Sequence, residues 1–97
     1  MGVKFGREYN EILRDLTEAI SQVDRVYECL YMDGEAWNAL AAKDREECMR
    51  TLADDLFYGL GGEPIIPVGK GKIYYNKRKH IIAVDNGENR IDIIYLI

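Results

Sequence analysis

The apolar positions at the start of the chain recur with helical spacing. Residues 7 to 32 contain no Gly and no Pro, and Tyr9, Ile12, Leu16, Ala19, Val23, Val26 and Leu30 follow one another at alternating steps of three and four. Leu13, Ile20 and Tyr27 widen that seam on one side. The pattern predicts one long amphipathic helix with a broad apolar face. Opposite charges four apart (Lys4 and Glu8, Arg7 and Glu11, Arg14 and Glu18) support its wet side. About 26 residues of helix form a rod of roughly 39 Å, whereas a compact globule of this chain length spans only about 32 Å. Such a rod has three outcomes. It breaks, a second chain covers its surplus stripe, or the short helical segment after Asp33 covers it within the monomer.

Asp33-Gly34 ends the first helix, and Asp33 can cap a short helical turn through Glu35, Ala36, Trp37 and Leu40. Asp44-Arg45-Glu46-Glu47 has the form of a capping box and predicts the start of a second helix. That helix places Cys48, Met49, Leu52, Leu56, Phe57 and Leu60 on one face and is stopped by Gly61-Gly62, with Pro64 preventing its resumption. Beyond this point the period changes from helical to alternating. Lys72–Asn76, His80–Asp85 and Arg90–Leu96 read as strands rich in Ile, Val and Tyr, turned by Asn76–Lys79 and by Asp85–Asn89 with its Asn-Gly pair. Ile65-Ile66-Pro67-Val68 is a further apolar run that Pro67 confines to an edge strand or an extended lead-in. The expected fold is therefore α+β, with a long helix, a short helical turn and a second helix followed by a three-stranded antiparallel meander. The apolar run adds a candidate fourth edge strand. In the last strand Ile91, Ile93 and Tyr95 alternate with Asp92, Ile94 and Leu96, so both faces are largely apolar. One face should pack on the helices, leaving the other as a dimer or ligand surface.

Length and composition limit this to one domain over residues 1–97, with a helical layer at 1–62 and a sheet at 63–97. Ninety-seven residues, 47% of them hydrophobic, suffice for one core. The opening segment lacks the apolar run of a signal peptide, and nowhere do about eighteen apolar residues occur together. A cytoplasmic protein without membrane contact is expected. Cys29 and Cys48 lie far apart and His80 is distant from both, which is no zinc-ligand spacing. They read as reduced thiols packed as small apolar groups.

Candidate chemistry is sparse. Ser21, Thr17 and Thr51 all fall on helices, and nothing in the spacing sets His80 beside any of them as a base. Carboxylates three apart (Glu8 and Glu11, Asp15 and Glu18), with Glu46, Glu47, Asp54 and Asp55 on the second helix, share helical faces. Mg²⁺-dependent nucleotide hydrolases of the helical type use such pairs, but they gather acidic groups from more helices than are available here. A solvated acidic face is the simpler reading. Gly69-Lys70-Gly71-Lys72 lacks P-loop spacing and leads into a strand, so it reads as a flexible turn. No catalytic residue, metal ligand or cofactor site is assigned.

Charge divides where secondary structure does. Residues 1–63 carry seven Lys or Arg against fourteen Asp or Glu, a net −7, and residues 64–97 carry six against three, a net +3. The basic side is concentrated at Lys70, Lys72, Lys77, Arg78 and Lys79, with Tyr74 and Tyr75 among them. Cations interleaved with aromatics suit nucleic acid, while lysines on a sheet edge equally serve to prevent aggregation. The sequence pI of about 5.0 argues against strong non-specific nucleic-acid binding. The function that fits best is a non-enzymatic interaction module, an adaptor, regulator or inhibitor. Its expected contacts are a protein partner and a second copy paired along the seam Tyr9, Ile12, Leu16, Val23, Val26 and Leu30. The alternatives are nucleic-acid binding through the hairpin 70–80 and, behind it, the nucleotide hydrolase.

Overall fold

The computed structural model describes residues 2–97; Met1, part of the opening segment read above, lies outside the described residues. The chain is α+β. Helix α1 (Tyr9–Ile20), a 3₁₀ helix (Val26–Leu30), α2 (Gly34–Ala39) and α3 (Ala42–Leu60) precede strands β1 (Ile65–Val68), β2 (Gly71–Asn76), β3 (Ile81–Asp85) and β4 (Ile91–Tyr95). The strands form one antiparallel sheet in chain order, β1-β2-β3-β4. The candidate edge strand is real, and Pro67 is tolerated in it because β1 lies at the sheet edge.

The long first helix is a correction. It stops at Ile20, and after a turn the chain resumes as a 3₁₀ helix whose flanking residues, Arg25 (φ 57°) and Tyr31 (φ 58°), are both left-handed. Each such residue costs roughly 1–2 kcal/mol when it is not glycine. The gain is larger. The break turns Val23 and Val26 down into the core, and full burial of a side chain of this size contributes about 1.5–3 kcal/mol apiece. The break is then tied to the sheet. The Asp24 N–H donates to the Asn86 carbonyl (3.1 Å), and the Lys70 N–H donates to the Asp24 carbonyl (2.9 Å). One residue of the α1 exit thus joins the β1–β2 and β3–β4 turns.

Asp33 caps α2 as expected, its Oδ1 accepting from the Ala36 N–H at 2.8 Å. The capping box at Asp44 is not used. Helix α3 starts two residues earlier at Ala42, with Ala41 as its cap and no side-chain bond, and Asp44 instead lies in the first turn. There its carboxylate still favours the positive end of the helix dipole.

Both α1 and α3 cover a single face of the sheet, α1 lying against α3 and β4 and α3 against β1. The core joins Ile12, Leu16 and Ile20 of α1 to Leu52, Leu56 and Leu60 of α3 and to Val68, Ile73, Ile82, Val84 and Ile94 of the sheet, with Leu96 just beyond β4. Residues 6 and 7 run beside the end of β4, where the Gly6 and Arg7 N–H groups both donate to the Leu96 carbonyl (2.7 and 3.0 Å). The other face of the sheet is open to solvent at Ile65, Ile91, Ile93 and Tyr95.

Candidate interaction surface

Strand pairing determines what that open face displays. Ile65 pairs with Tyr74, Tyr74 with Ala83, and Ala83 with Ile93, so these four form a row across all four strands. Directly opposed residues in antiparallel strands share a face. Pro67, Lys72, Asp85 and Ile91 form the next row, and Asn76, Ile81 and Tyr95 a third. Beyond Tyr95 the same alternation carries Ile97 to this side. Ile65 is 61% exposed, Ile91 54%, Ile93 40%, Tyr95 61% and Ile97 68%. Lys72, Asp85 and Asn76 are the polar members. Lys72 and Asp85 oppose each other, and among the described residues neither belongs to an ion pair. Asp85 Oδ1 is engaged by the Gly87 N–H (2.9 Å), which holds its carboxylate at the edge of the row.

The basic, tyrosine-bearing hairpin is not one surface. Tyr74 and Tyr75 are consecutive on β2 and so point to opposite faces. Tyr75 packs against the core from the helical side, and its hydroxyl accepts from the Lys4 N–H (3.2 Å). Lys70 sits in the β1–β2 turn, and Lys77, Arg78 and Lys79 sit in the β2–β3 turn at the other end of a six-residue strand. Only Lys72 and Tyr74 share the open face. The basic stretch of sequence becomes two separate turns.

The seam assigned to a second chain is occupied within the monomer. Ile12, Leu16, Val23 and Val26 are buried core residues, and Tyr9 and Leu30 pack against the same core. Once the helix breaks, α3 and the sheet cover the stripe that a longer rod would have left open.

Two of the clefts elsewhere gather aromatic or charged side chains. Phe5, Tyr9 and Phe57 form a compact aromatic group with ring centroids 5.1–5.7 Å apart, at the mouth of a groove that Tyr58 and Gly61-Gly62 complete. Within it the Tyr9 hydroxyl donates to Asp54 Oδ1. Burial, reinforced by that bond and by the Asp54 charge, pushes the Tyr9 hydroxyl above the ordinary tyrosine range. A second cleft between α1 and β4 gathers Asp15, Glu18, Arg90 and Asp92. Arg90 holds Asp92 Oδ1 at 3.2 Å, and Arg7 holds Asp15 at 3.0 Å, so acids and bases are interleaved there. Among the described residues no three His, Cys, Asp or Glu side chains come together as a metal-holding group. The Ser21 and Thr17 hydroxyls donate back to helix carbonyls four residues earlier, at 2.7 and 2.6 Å. His80 stands exposed at the end of the β2–β3 turn. No helix is long and apolar enough to cross a membrane among the described residues. Comparison of the chain with protein-family models, with curated proteins and with solved structures yields no match.

Proposed function

We propose that this chain is a non-enzymatic protein-interaction module that docks through the open face of its sheet. One observation carries the reading. Five large apolar side chains stand 40–68% exposed on that single face, in rows broken only by Lys72, Asp85 and Asn76. Antiparallel sheets with one solvated face normally alternate apolar-in and polar-out. A contiguous apolar patch of this extent on a small domain marks a binding surface. The polar groups at its edge would set register while the isoleucines and Tyr95 supply the buried area. Occupying a partner's surface in this way suits an adaptor, regulator or inhibitor. A cytoplasmic setting fits the two cysteines, Cys29 and Cys48, which are free and partly buried.

The test is affinity capture from the source cells with the tagged full chain and with Ile93→Glu. Ile93 is at the centre of β4 on the open face, so a carboxylate there stays hydrated in the free protein and is desolvated on docking. The wild-type chain should retain protein, whether a second copy or another chain, and Ile93→Glu should release it while keeping the wild-type circular dichroism. Equal retention by both would overturn the reading.

A further inference from the structure

Granting that the open sheet face is the docking surface, we infer that its occupant is a second copy of this chain. The two sheets pack face to face about a two-fold axis that runs along the strands. The inference rests on the order of residues within each row. Rotation about such an axis reverses strand order but preserves the rows, so β2 lies over the partner's β3 and β3 over the partner's β2. The row Pro67–Lys72–Asp85–Ile91 then meets its own reverse. Lys72 faces the partner's Asp85, Asp85 faces the partner's Lys72, and Ile91 falls on the partner's Pro67. In the central row Ala83 is already covered within its own sheet, and Ile65 lies against the partner's Ile93. Sheets packed this way rotate by about 30° relative to each other, which displaces the outer columns but leaves β2 and β3 beside the axis.

The other two-fold, running across the strands, fails on charge. It stacks the Lys72–Asp85 row on the row Asn76–Ile81–Tyr95 and presses Asp85 onto the partner's Ile81, desolvating a carboxylate that has the Gly87 N–H on Oδ1 but no cation opposite it. Pairing through sheet edges is also obstructed. Arg7 Nη1 donates to the Tyr95 carbonyl (2.8 Å) and Gly6 to that of Leu96 on the β4 side. On the other side β1 is four residues long and contains Pro67. Fully covered, the five apolar residues would contribute at most on the order of 600 Å² per protomer, so about 1,200 Å² for the pair is an upper bound, at the lower edge of the range of stable specific interfaces. Two symmetric Lys–Asp pairs at its margin would set the orientation.

The test exploits the symmetry. In Lys72→Glu each protomer opposes a Glu to the partner's Asp85, and in Asp85→Lys each opposes Lys to Lys. Either variant alone should dimerise at least tenfold more weakly than wild type in sedimentation equilibrium. An equimolar mixture of the two restores both oppositely charged pairs and should give a heterodimer. A change in stability within one chain cannot be rescued by mixing. Carbodiimide coupling of mixed ¹⁵N and ¹⁴N wild-type chains avoids substitution altogether, and should yield Lys72–Asp85 links joining heavy to light peptides. A wild type that stays monomeric at high micromolar concentration overturns the inference. So do a dimer indifferent to both charge reversals and links confined to a single isotope. The interaction reading itself fails on a different result, partner capture unchanged by Ile93→Glu.

Discussion

Replacing Gly69 with Ala tests the joint that ends the first helix. Gly69 lies in the β1–β2 turn at φ +54°, where a Cβ would sit 2.5 Å from the Asp24 carbonyl oxygen and 2.6 Å from that of Arg25. Both obstacles are backbone, so no side chain can swing aside. The left-handed conformation costs an L-residue roughly 1–2 kcal/mol. Relieving the clash moves the α1 exit away from the turn and breaks the Lys70 N–H bond to Asp24, worth about 0.5–1.5 kcal/mol. The expected loss is about 2–4 kcal/mol, a large part of the stability of a domain this size. In urea, with an m-value of about 1–2 kcal/mol/M, the midpoint should fall by at least about 1 M. Hydrogen exchange adds a local readout, because the Lys70 amide should lose protection before the strand amides do. Gly62→Ala is the control. Its Cβ would meet nothing closer than 3.9 Å, so it should leave stability unchanged or raise it by about 0.4–1 kcal/mol. If the two variants unfold within about 0.5 kcal/mol of each other at matched protein concentration, the contact between the α1 exit and the turn is not what holds the break.

Other consequences are equally direct. Leu16→Ala empties a fully buried site between α1 and α3 and should cost about 2–5 kcal/mol by denaturant titration, with the sedimentation state of the folded protein unchanged. Asn86→Ala removes the Oδ1 that accepts from the Glu88 and Arg90 N–H groups (2.7 and 3.3 Å) inside the β3–β4 turn, a loss of about 1–3 kcal/mol on the same assay. Because the Tyr9 hydroxyl titrates above its unfolded value, its contribution is complete below about pH 10 and disappears as pH rises through the folded value. Tyr9→Phe should therefore cost about 1 kcal/mol at neutral pH and remove part of the alkaline loss of stability, with the late-ionising tyrosine missing from the ultraviolet titration. Lys77, Arg78 and Lys79 changed together to Glu should leave self-association intact, because their turn lies beyond the rows of the open face; a monomer would contradict the packing proposed.

The hairpins were readable because period-two alternation and Asn86-Gly87 are local signals. The place of the break in the first helix was not, for a reason that can be named. Left-handed residues usually announce themselves as glycine, but here Arg25 and Tyr31 adopt that conformation. The compensating glycine is Gly69, some forty positions away, where it reads as nothing more than a flexible turn. Tertiary contact therefore outweighed helical periodicity, and the apparent dimer seam became monomer core. The division of the basic stretch between two faces, by contrast, was legible in the chain alone. Tyr74 and Tyr75 are adjacent in a strand, and adjacent strand residues cannot share a face. Their alternation also marks Tyr74 for the open side, once Ile73 and Val84 are recognised as inward.

The open face could be ascribed to strand propensity alone, since β-branched residues favour extended backbone whether or not anything covers them. The residue choices argue otherwise. Threonine satisfies the same backbone preference with a polar surface, yet the only threonines, Thr17 and Thr51, both lie on helices. Every outward position of β4 is apolar, Ile91, Ile93 and Tyr95, and Ile97 follows on the same side. Solvent-facing strands near a sheet edge are ordinarily protected with charge, whereas on this face the charged residues are confined to Lys72 and Asp85, opposed to each other. At 40–68% exposure each isoleucine forgoes roughly half of the ~1.5–3 kcal/mol that full burial returns. Four of them together forgo about 3–6 kcal/mol, which is large beside the marginal stability of a small domain. A surface with that much unrealised burial and one self-complementary charge pair is better matched to a second sheet than to solvent.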